Sequence, residues 1–371
     1  MDAKIKYVVH VMGMDSSKYG GMERFNVALA KKLEDHGYKS LFIYESYPSS
    51  VGFVNDLTKC NAVICVSNSR KHPLRFCLDF IRIIAKYRPS IVHAHFTKAL
   101  FYAVPLSRLM GVKRAFFTIH SRMEPKEKIK PLTRLWYGMA NRIAKVIAVS
   151  DNIAVTYKDN WPSSFVKRIY LGVESPRFNR EDSRRHLGIP EKQTVFLTVA
   201  NFNHIKGLDV LVKAVSRLVD QGWLGEDSFF YVVGQTKQDL EELRGMIVSS
   251  GIADRFRLMG ISNEVPCYMA AADIYIQPSR SEGLPLAMME AASYSLPLIG
   301  SDVGGIPEII KDGENGFLVP PEDDARLADA VLRMMNDSDL RNHFSRHSHL
   351  LYKTTFSIEN GVSQLFDYYS S

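Results

Sequence analysis

The hydrophobic positions in the first half of the chain follow two alternating periodicities. Short apolar runs rich in β-branched residues, among them IKYVVHVM, SIVHAH and KVIAVSD, predict buried strands. Between them, GGMERFNVALAKKLEDHGY and LRFCLDFIRIIAKYRP place an apolar residue at every third or fourth position, which predicts amphipathic helices. Strands separated by helices indicate a parallel sheet with helices on both faces.

The same alternation restarts after residues 174–193. That stretch is polar, contains prolines and lacks periodicity, so we expect a linker there. Beyond it, TVFLTVANF, SFFYVVGQ, DIYIQPS and PLIGSD predict strands, and LDVLVKAVSRLVDQG, LEELRGMIVSSG and PLAMMEAASYS predict helices. The pattern predicts two α/β domains of similar size with a cleft between them. Ligands of such sheets bind beyond the carboxyl ends of the strands.

The composition is that of a soluble globular protein. Apolar residues make up 46% and charged residues 23% of the 371 positions, which is enough for two cores. No apolar run approaches the ~18 residues that span a bilayer, and the first residues, MDAKIKYVVHVMG, lack the features of a signal peptide. The four cysteines have neither CxxC spacing nor the density of a disulfide scaffold. These features predict a cytoplasmic protein with free thiols.

Charge is divided unequally between the two halves. Residues 1–173 contain 28 of the 47 Lys and Arg but only 12 of the 40 Asp and Glu. A basic half favours an anionic partner. Basic segments at 70–88 and 113–145 are typical of a patch for an anionic membrane surface or acceptor, or of an ordinary charged surface over a core helix. No nucleic-acid-binding motif accompanies them, so nucleic acid is not the predicted partner.

Two segments have residues suited to phosphate binding. Gly20 and Gly21 follow the first predicted strand and open a helix, where bare backbone N–H groups and the positive end of the helix dipole attract an anion. Lys206 lies between a strand and a helix, where a lysine can meet a pyrophosphate as a point charge. The alternatives are a flexible glycine turn and a solvated surface lysine.

The segment SRSEGLPLAMMEA carries Glu282 and Glu290 on either side of a predicted helix start. Glu282 falls in the loop after the strand DIYIQPS, and Pro285 suits the first turn of the next helix, where its missing N–H costs nothing. The first amides of a helix have no partner within it. A loop carboxylate beside such amides can bind hydroxyls and phosphate oxygens together, whereas Glu290 in an apolar helix is costly to bury without a hydrogen bond.

EGLPLAMMEA resembles the E-x7-E signature of retaining glycosyltransferases of the GT-B fold, in particular glycosyltransferase family 4. YGGME resembles that family's amino-terminal glycine loop, and IVHAH, FTIHS and VIAVS resemble its strand ends. KGLDVLVKAV, FYVVG and SDVGGIPEIIKDGENGFLVPPED also match, in order over most of the chain. The resemblance implies two Rossmann-like domains with parallel sheets facing across a cleft. Residues 1–172 would be the acceptor-side domain, 173–354 the nucleotide-sugar-binding domain, and 355–371 a C-terminal helix crossing back to the first domain.

The resemblance also implies an activity. A retaining hexosyltransferase would move a sugar from a nucleotide-sugar, such as a UDP- or GDP-sugar, to a glycan or polyprenyl-linked acceptor in bacterial cell-envelope polysaccharide synthesis. The donor is a substrate, and neither a cofactor nor a metal is expected. The protein would be cytoplasmic, with peripheral attachment to the inner face of the cell membrane as a further expectation.

The family's site residues carry over to matching positions. Glu282, His120 and Lys206 would be catalytic: Glu282 holds the sugar hydroxyls, His120 contacts the donor sugar and Lys206 neutralises the pyrophosphate. Glu290 would hold the ribose. The residues expected to bind the donor are Gly20, Gly21, Asn201, Lys206, Gly234, Gly283, Leu284, Pro285, Leu286 and Glu290. His95 and Arg122 are expected on the acceptor side, with His95 lining the cleft.

Two positions depart from the family pattern. Asn201 stands where an arginine is frequent, so this position brings no charge to the donor, and Leu171-Gly172 stand where Asn-Gly is usual.

Other motifs favour plainer interpretations. His93-x-His95 ends a strand but lacks a matching ligand set. The DxD of Asp337 to Asp339 follows a predicted helix, and Asp323 and Asp324 open one, so both motifs predict helix caps rather than metal ligands. The alternatives to a glycosyltransferase are a nucleotide-sugar epimerase of the same architecture and a non-catalytic two-lobed binding protein.

Overall fold

The computed structural model describes residues 5–17, 19–68, 71–120, 128–162, 165–201, 203–234 and 237–371. The chain divides into two compact units. The first unit comprises Met1–Val173 together with Ile358–Ser371, and the second comprises Glu174–Ser357. The boundaries predicted from the sequence fall after residues 172 and 354. Both units are α/β, with parallel strands that are mostly buried and apolar, as the sequence pattern predicts.

The described part of the first unit forms one parallel sheet with the strand order β3-β2-β1-β4-β5-β6-β7. Its strands are β1 (Lys6–Val11), β2 (Tyr38–Tyr44), β3 (Val63–Val66), β4 (Ile91–His95), β5 (Arg114–Ile119), β6 (Lys145–Ala148) and β7 (Val166–Arg168). Its helices are α1 (Gly21–Glu34), α2 (Val51–Lys59), α3 (Pro73–Tyr87), α4 (Thr97–Leu109), α5 (Pro131–Ile143), α6 (Asp151–Asn160) and the terminal helix α15 (Ile358–Ser370).

The terminal helix α15 belongs to the first unit and packs against α1. Its Gly361 lies against the backbone of Tyr170 and Gly172, so close that an added Cβ would stand 2.6 Å from the Tyr170 carbonyl oxygen. Near the other end of the helix, the Tyr369 hydroxyl lies 2.5 Å from His93 Nδ1 on β4. A small residue and a buried hydrogen bond thus fix the helix on the sheet.

The second unit repeats the arrangement with the strand order β10-β9-β8-β11-β12-β13. Its strands are β8 (Thr194–Val199), β9 (Ser228–Val233), β10 (Phe256–Gly260), β11 (Ile274–Gln277), β12 (Leu298–Ser301) and β13 (Gly316–Val319). Its described helices are α7 (Arg180–Leu187), α8 (Leu208–Asp220), α9 (Lys237–Ser249), α10 (Val265–Ala271), α11 (Leu286–Ser293), α12 (Ile306–Ile309), α13 (Asp324–Asn336) and α14 (Ser338–Leu351).

The expected linker at 174–193 is wrong in its central part, because residues 180–187 form α7. Asn179 caps this helix by accepting a hydrogen bond from the Asp182 amide, and Gly188 ends it in the left-handed conformation. Arg184 on α7 is fully buried and donates to the carbonyl oxygens of Ala271 and Gln193 and to the Asp273 carboxylate. Hydrogen bonds from a buried guanidinium, rather than an apolar stripe, therefore dock this helix, which explains its missing periodicity.

No helix in the described ranges is long and apolar enough to cross a membrane. The four cysteines are unpaired, as predicted.

Candidate active site

The strand order of the second sheet reverses between β8 and β11, which pair side by side. The loops that leave the carboxyl ends of two such strands diverge to opposite faces of the sheet, and the crevice between them is where ligands of doubly wound sheets bind. The loop after β8 carries Asn201 and Lys206, and the loop after β11 carries Glu282. The topology alone therefore brings the predicted residues of two distant segments to one place.

Lys206 and Glu282 form an ion pair at this point. Lys206 Nζ lies 2.7 Å from Glu282 Oε1, and the side chains are 24% and 9% exposed. The same oxygen accepts hydrogen bonds from the Ser279 hydroxyl at 2.7 Å and the Gln277 amide at 2.9 Å. Among the described residues none donates to Oε2. One carboxylate oxygen is thus fixed by three donors, and the other is left to accept from a ligand.

A chain of buried polar groups holds these donors. The Tyr275 hydroxyl donates to Gln277 Oε1 at 2.7 Å, and Gln277 donates in turn to both Ser279 and Glu282. Burial, with a further contribution from the negative charges of Glu282 and Glu290, raises the pKa of Tyr275 well above its usual value. The tyrosine therefore stays protonated and keeps its role as a donor.

Arg280 clamps the two loops together. Its guanidinium binds the Asp209 carboxylate through two hydrogen bonds of 2.7 Å, and it also reaches Glu322 and the His204 carbonyl oxygen. The backbone amide of Arg280 donates to the Ile205 carbonyl oxygen at 2.7 Å. Hydrogen bonds from the guanidinium lower the pKa of Asp209. Bidentate geometry fixes direction as well as distance, so Lys206 and Glu282 are held on a rigid frame.

Glycines allow the loops of the site to touch through their backbones. An added Cβ at Gly207 would stand 1.9 Å from the Pro278 carbonyl oxygen, and one at Gly304 would stand 1.9 Å from that of Glu282. Gly234, one of the predicted donor residues, would meet the Ala200 carbonyl oxygen at 1.5 Å. All three have positive φ. A side chain at Gly207 would push apart the loops that carry Lys206 and Glu282, one at Gly304 would displace the Glu282 loop, and one at Gly234 would displace the backbone at Ala200.

Helix α11 begins at Leu286, four positions after Glu282. Pro285 stands one position before the helix, as its N-cap, rather than in its first turn. Among the described residues, no hydrogen bond uses the amides of Gly283, Leu284 or Leu286. Their contact with a donor stays a prediction. Glu290 lies on α11 close enough for its charge to act on Tyr275 and Tyr294.

Asn201 is exposed at the end of β8. Its carbonyl oxygen accepts a hydrogen bond from the Asn203 amide, which turns the chain toward Lys206. Because the Asn201 side chain is exposed, the position has room for the larger arginine side chain of the family pattern.

The glycine loop of the first unit differs from the prediction in one respect. Helix α1 begins at Gly21 with Gly20 as its N-cap, but the Gly20 amide donates to Glu23 Oε2 at 3.1 Å. Glu23 also accepts from the Ser16 hydroxyl at 2.8 Å and is nearly buried. The Gly20 amide is therefore occupied by a carboxylate, because a glutamate at this position completes the cap itself.

His95 and His120 lie together at the ends of β4 and β5. His95 Nδ1 stands 3.1 Å from His120 Nε2, and the ring of Phe96 stacks on His120 with centroids 4.6 Å apart. His95 is only 4% exposed, so it has little surface with which to line a cleft, contrary to the expectation from the sequence. Arg122 lies outside the described residues.

His10 on β1 joins His93 and His95, with one ring nitrogen of each within 4.8 Å of the others. His93 contacts the Tyr369 and Thr118 hydroxyls, whereas both nitrogens of His10 are buried and have no hydrogen-bond partner within the described ranges. A metal ion could use these nitrogens only if His93 gave up one of its hydrogen bonds.

The first aspartate of each motif, Asp337 of the DxD and Asp323, is a helix cap, as predicted. Asp337 accepts from the Leu340 amide and Asp323 from the Arg326 amide.

Sequence reasoning missed Ser279, Gln277, Arg280 and Gly304. The signals available were the polar run QPSRSEG at the end of one apolar strand and a glycine three residues after the end of another.

Comparison with known proteins identifies the family. Residues 19–177 match the family model described as Glycosyltransferase Family 4, and residues 179–349 match that of Glycosyl transferases group 1. The chain is 27% identical to an alpha-D-kanosaminyltransferase of Streptomyces kanamyceticus over 75% of its length and 76% of that protein. It is 24% identical to an Escherichia coli UDP-Gal:alpha-D-GlcNAc-diphosphoundecaprenol alpha-1,3-galactosyltransferase over 99% of its length and 97% of that protein.

The fold has solved counterparts. The Anabaena HepE protein in complex with UDP superposes with a TM-score of 0.83 at 20% identity, over 99% of this chain and 100% of that one. A Rickettsia africae glycosyltransferase gives a TM-score of 0.85 at 20% identity, over 99% and 98% of the two chains. The sequence matches favour glycosyl transfer over the epimerase and binding-protein alternatives. The two α/β units, the paired Lys206 and Glu282 and these matches together place the chain among the family 4 glycosyltransferases of the GT-B fold.

Proposed function

We propose that the protein transfers a hexosyl-type sugar from a nucleotide-sugar to a glycan or lipid-linked acceptor, with retention of the anomeric configuration and without a metal ion. The observation that carries the proposal is the Lys206–Glu282 pair at the switch point of the second sheet. It puts a cation for the leaving diphosphate next to a carboxylate with one oxygen available for a sugar hydroxyl.

The second unit supplies most of the proposed donor contacts. Glu282 Oε2 accepts from a hydroxyl of the sugar, and the amides of Gly283, Leu284 and Leu286 donate to hydroxyl and phosphate oxygens. Lys206 keeps two N–H bonds for the diphosphate while the third stays on Glu282. Glu290 accepts from the ribose hydroxyls. Asn201 and Gly234 line the approach to the phosphates, and by the family resemblance Gly20, Gly21 and His120 are proposed donor contacts of the first unit.

The proposed chemistry needs no protein nucleophile. The bond between the anomeric carbon and the phosphate oxygen breaks, and the acceptor oxygen forms its new bond on the same face of the sugar. The acceptor proton passes to a phosphate oxygen of the leaving nucleotide. Lys206 and the helix amides stabilise the charge that develops on that phosphate, and preorganised stabilisation of this kind usually contributes more to the rate than any other single effect.

UDP-sugars are the first donors to test. HepE has been crystallised with UDP-glucose, and the E. coli relative is named for a UDP-galactose donor. We further propose an acceptor carried on a polyprenyl diphosphate, the class named for that relative, and hence a role in bacterial cell-envelope polysaccharide synthesis.

We place the membrane contact of such an acceptor on the first unit. Helix α4 packs against both α3 and α5. Helix α3 and residues 128–142 carry exposed apolar and basic side chains: Leu74, Leu78, Leu132, Leu135, Arg75, Arg82, Lys128, Lys130 and Arg142. Leu74 is 81% exposed and Leu132 67%. Exposed apolar side chains accompanied by cations favour the surface of an anionic membrane. Cytoplasmic location with peripheral attachment remains part of this proposal.

Donor turnover tests the reaction. The purified protein is incubated with a panel of UDP- and GDP-sugars in EDTA, with a polyprenyl-diphosphate-linked sugar as acceptor, and the anomeric configuration of the product is read by NMR. Turnover of one donor in EDTA with retention is the expected result. Activity that requires an added divalent cation contradicts metal independence, and an inverted product contradicts the proposed mechanism.

Vesicle co-sedimentation tests the membrane surface. Binding is expected to phosphatidylcholine vesicles that contain phosphatidylglycerol and not to phosphatidylcholine alone, and to weaken as salt rises. Leu74→Ser and Lys130→Glu should each weaken it. Val248→Ser, which changes a residue 61% exposed on α9 of the second unit, is the matched control. Binding that ignores lipid charge contradicts the proposal.

A further inference from the structure

The two histidines at the ends of β4 and β5 share one hydrogen bond. His95 pairs with Thr118 in the register of the parallel strands, which brings His95 Nδ1 within 3.1 Å of His120 Nε2 two residues later. Burial lowers the pKa of both rings, that of His120 to about 4, so both are neutral at pH 7. A neutral imidazole has one N–H and one lone pair. One of the two nitrogens therefore donates and the other accepts.

The burial of His95 decides which ring donates. His95 Nε2 is buried and has no hydrogen-bond partner among the described residues. If His120 were the donor, the proton of His95 would sit on that nitrogen as a buried N–H with no acceptor. Orphaned buried N–H groups are rare and costly, and bare acceptors are less so. The cheaper arrangement has His95 donating from Nδ1, which leaves the proton of His120 on its own Nδ1.

Phe96 fixes the plane of the same ring. Its backbone has φ 62° and ψ 151°, a conformation that non-glycine residues rarely adopt. Its side chain stacks on His120 at an interplanar angle of 24°. No hydrogen bond of the described part of the chain uses His120 Nδ1. The ring is therefore held in place by its neighbours while one nitrogen remains for a ligand.

We infer that His95 is a positioning residue: it holds His120 in the Nδ1–H tautomer, so that His120 presents an N–H donor to an oxygen of the donor sugar. This inference rests on the proposed contact of His120 with that sugar. Setting the tautomer of a functional histidine through its second nitrogen is what a buried partner does in the serine-protease triad.

The tautomer can be measured without any ligand. Long-range proton–nitrogen correlation spectra of protein labelled with ¹⁵N-histidine separate the two tautomers of a ring, and His120→Gln assigns the signal. We expect the Nδ1–H tautomer in the unmodified protein. His95→Leu should convert the signal to the other tautomer or to a mixture. His95→Asn should restore it, since the asparagine amide can donate from nearly the same position. An Nε2–H tautomer in the unmodified protein, or no change in His95→Leu, overturns the inference.

Ligand affinity supplies the second readout. His95→Leu should bind UDP as the unmodified protein does, but lose about tenfold in affinity for UDP-glucose or in kcat/KM for that donor. His95→Asn should recover most of this loss. Equal losses for UDP and UDP-glucose would show that His95 is merely structural and would overturn the inference. If the unmodified protein neither binds nor turns over UDP-glucose, that sugar nucleotide is not the donor. The tautomer measurement still decides the role of His95 in that case.

Discussion

Lys206 Nζ and Glu282 Oε1 lie 2.7 Å apart although 76 residues separate them in the chain. The pair connects the loops of two strands that are neighbours only because the sheet order reverses between them. Both side chains are largely shielded from water, so their attraction is stronger than that of a surface pair. In the proposed reaction, Lys206 serves the leaving diphosphate and Glu282 the sugar, so the pair would act on the two sides of the bond that breaks.

Neutralising Glu282 should abolish transfer without unfolding the protein. Glu282→Gln keeps the size of the side chain and an oxygen that can accept from Ser279 and Gln277, but it removes the charge that holds Lys206 and accepts from the sugar. We expect kcat to fall by about 100-fold or more, the usual cost of losing one preorganised electrostatic contact. Steady-state kinetics and circular dichroism measure both effects.

Glu314→Gln is the matched control, since Glu314 is exposed in the loop before β13. It should leave kcat unchanged. A Glu282→Gln protein that is folded and fully active would remove Glu282 from the reaction.

A side chain at Gly304 should displace the loop that carries Glu282. The added Cβ of Gly304→Ala would stand 1.9 Å from the Glu282 carbonyl oxygen, at φ +57°. Left-handed strain costs about 1–2 kcal/mol and the clash about a further 1–3 kcal/mol. Gly313→Ala has the same kind of strain, at φ +76°, but no neighbour within 4 Å.

Urea unfolding and UDP titration separate these two effects. Both alanine variants should lose stability, but only Gly304→Ala should lose affinity for UDP, because only there must the loop of Glu282 move. Equal UDP affinities in the two variants would contradict a role for Gly304 in shaping the site.

The sequence predicts the site by position but not by contact. Lys206 and Glu282 could be singled out because each follows an apolar strand, and the ends of parallel strands share one edge of a sheet. Their pairing, and the support from Gln277 and Ser279, depends on which strands become neighbours and on side-chain rotamers. A local sequence pattern predicts neither the strand order nor the rotamers. Gly304 illustrates the same limit, because its need for glycine arises from a carbonyl oxygen of a different loop.

The periodicity that predicts most helices fails for α7 for a physical reason. Its eight residues, REDSRRHL, have hardly any apolar stripe, and Arg184 docks the helix through hydrogen bonds to four carbonyl oxygens and one carboxylate that all lie outside the helix. A hydrophobicity pattern cannot report such docking. The cap signals, Asn179 before the helix and Gly188 after it, could have predicted the helix without any periodicity.

Acidification should destabilise the first unit through its buried histidines. Burial lowers the pKa of His10 to about 3 and of His120 to about 4, and lowers those of His93 and His95 well below the usual 6.5. The unfolded chain therefore binds protons that the folded chain does not as the pH falls below about 6.5. In that range, each such histidine lowers the free energy of unfolding by about 1.4 kcal/mol for each pH unit that the pH falls.

Urea unfolding at pH 7.5, 6.5 and 5.5 measures this dependence. His10→Leu removes one of these groups, and its two buried nitrogens have no hydrogen-bond partner to lose among the described residues. The variant should be at least as stable at pH 7.5, and its advantage should grow as the pH falls. A pH dependence identical to that of the unmodified protein would show that His10 is not protonated on unfolding in this range.

Restoring a cation at position 201 should tighten nucleotide binding. The charge of Lys206 is partly neutralised by Glu282. A diphosphate in this site therefore meets less positive charge than it would if position 201 were the arginine of the family pattern. Asn201 is exposed and uses only its carbonyl oxygen in a hydrogen bond with the described residues, so Asn201→Arg costs little and can place a guanidinium near the phosphates. We expect UDP to bind about tenfold more tightly at low salt, with the gain shrinking as salt rises, since a charge-assisted contact is worth about 1–2 kcal/mol.

Asn336→Arg is the control, because it adds the same charge at the carboxyl end of α13. The helices run antiparallel to the strands, so this end lies at the opposite edge of the sheet from the site. Isothermal titration with UDP compares the two variants. A gain in Asn336→Arg equal to that in Asn201→Arg would assign the effect to net charge, and no gain in either would show that the family's arginine position does not face the diphosphate in this protein.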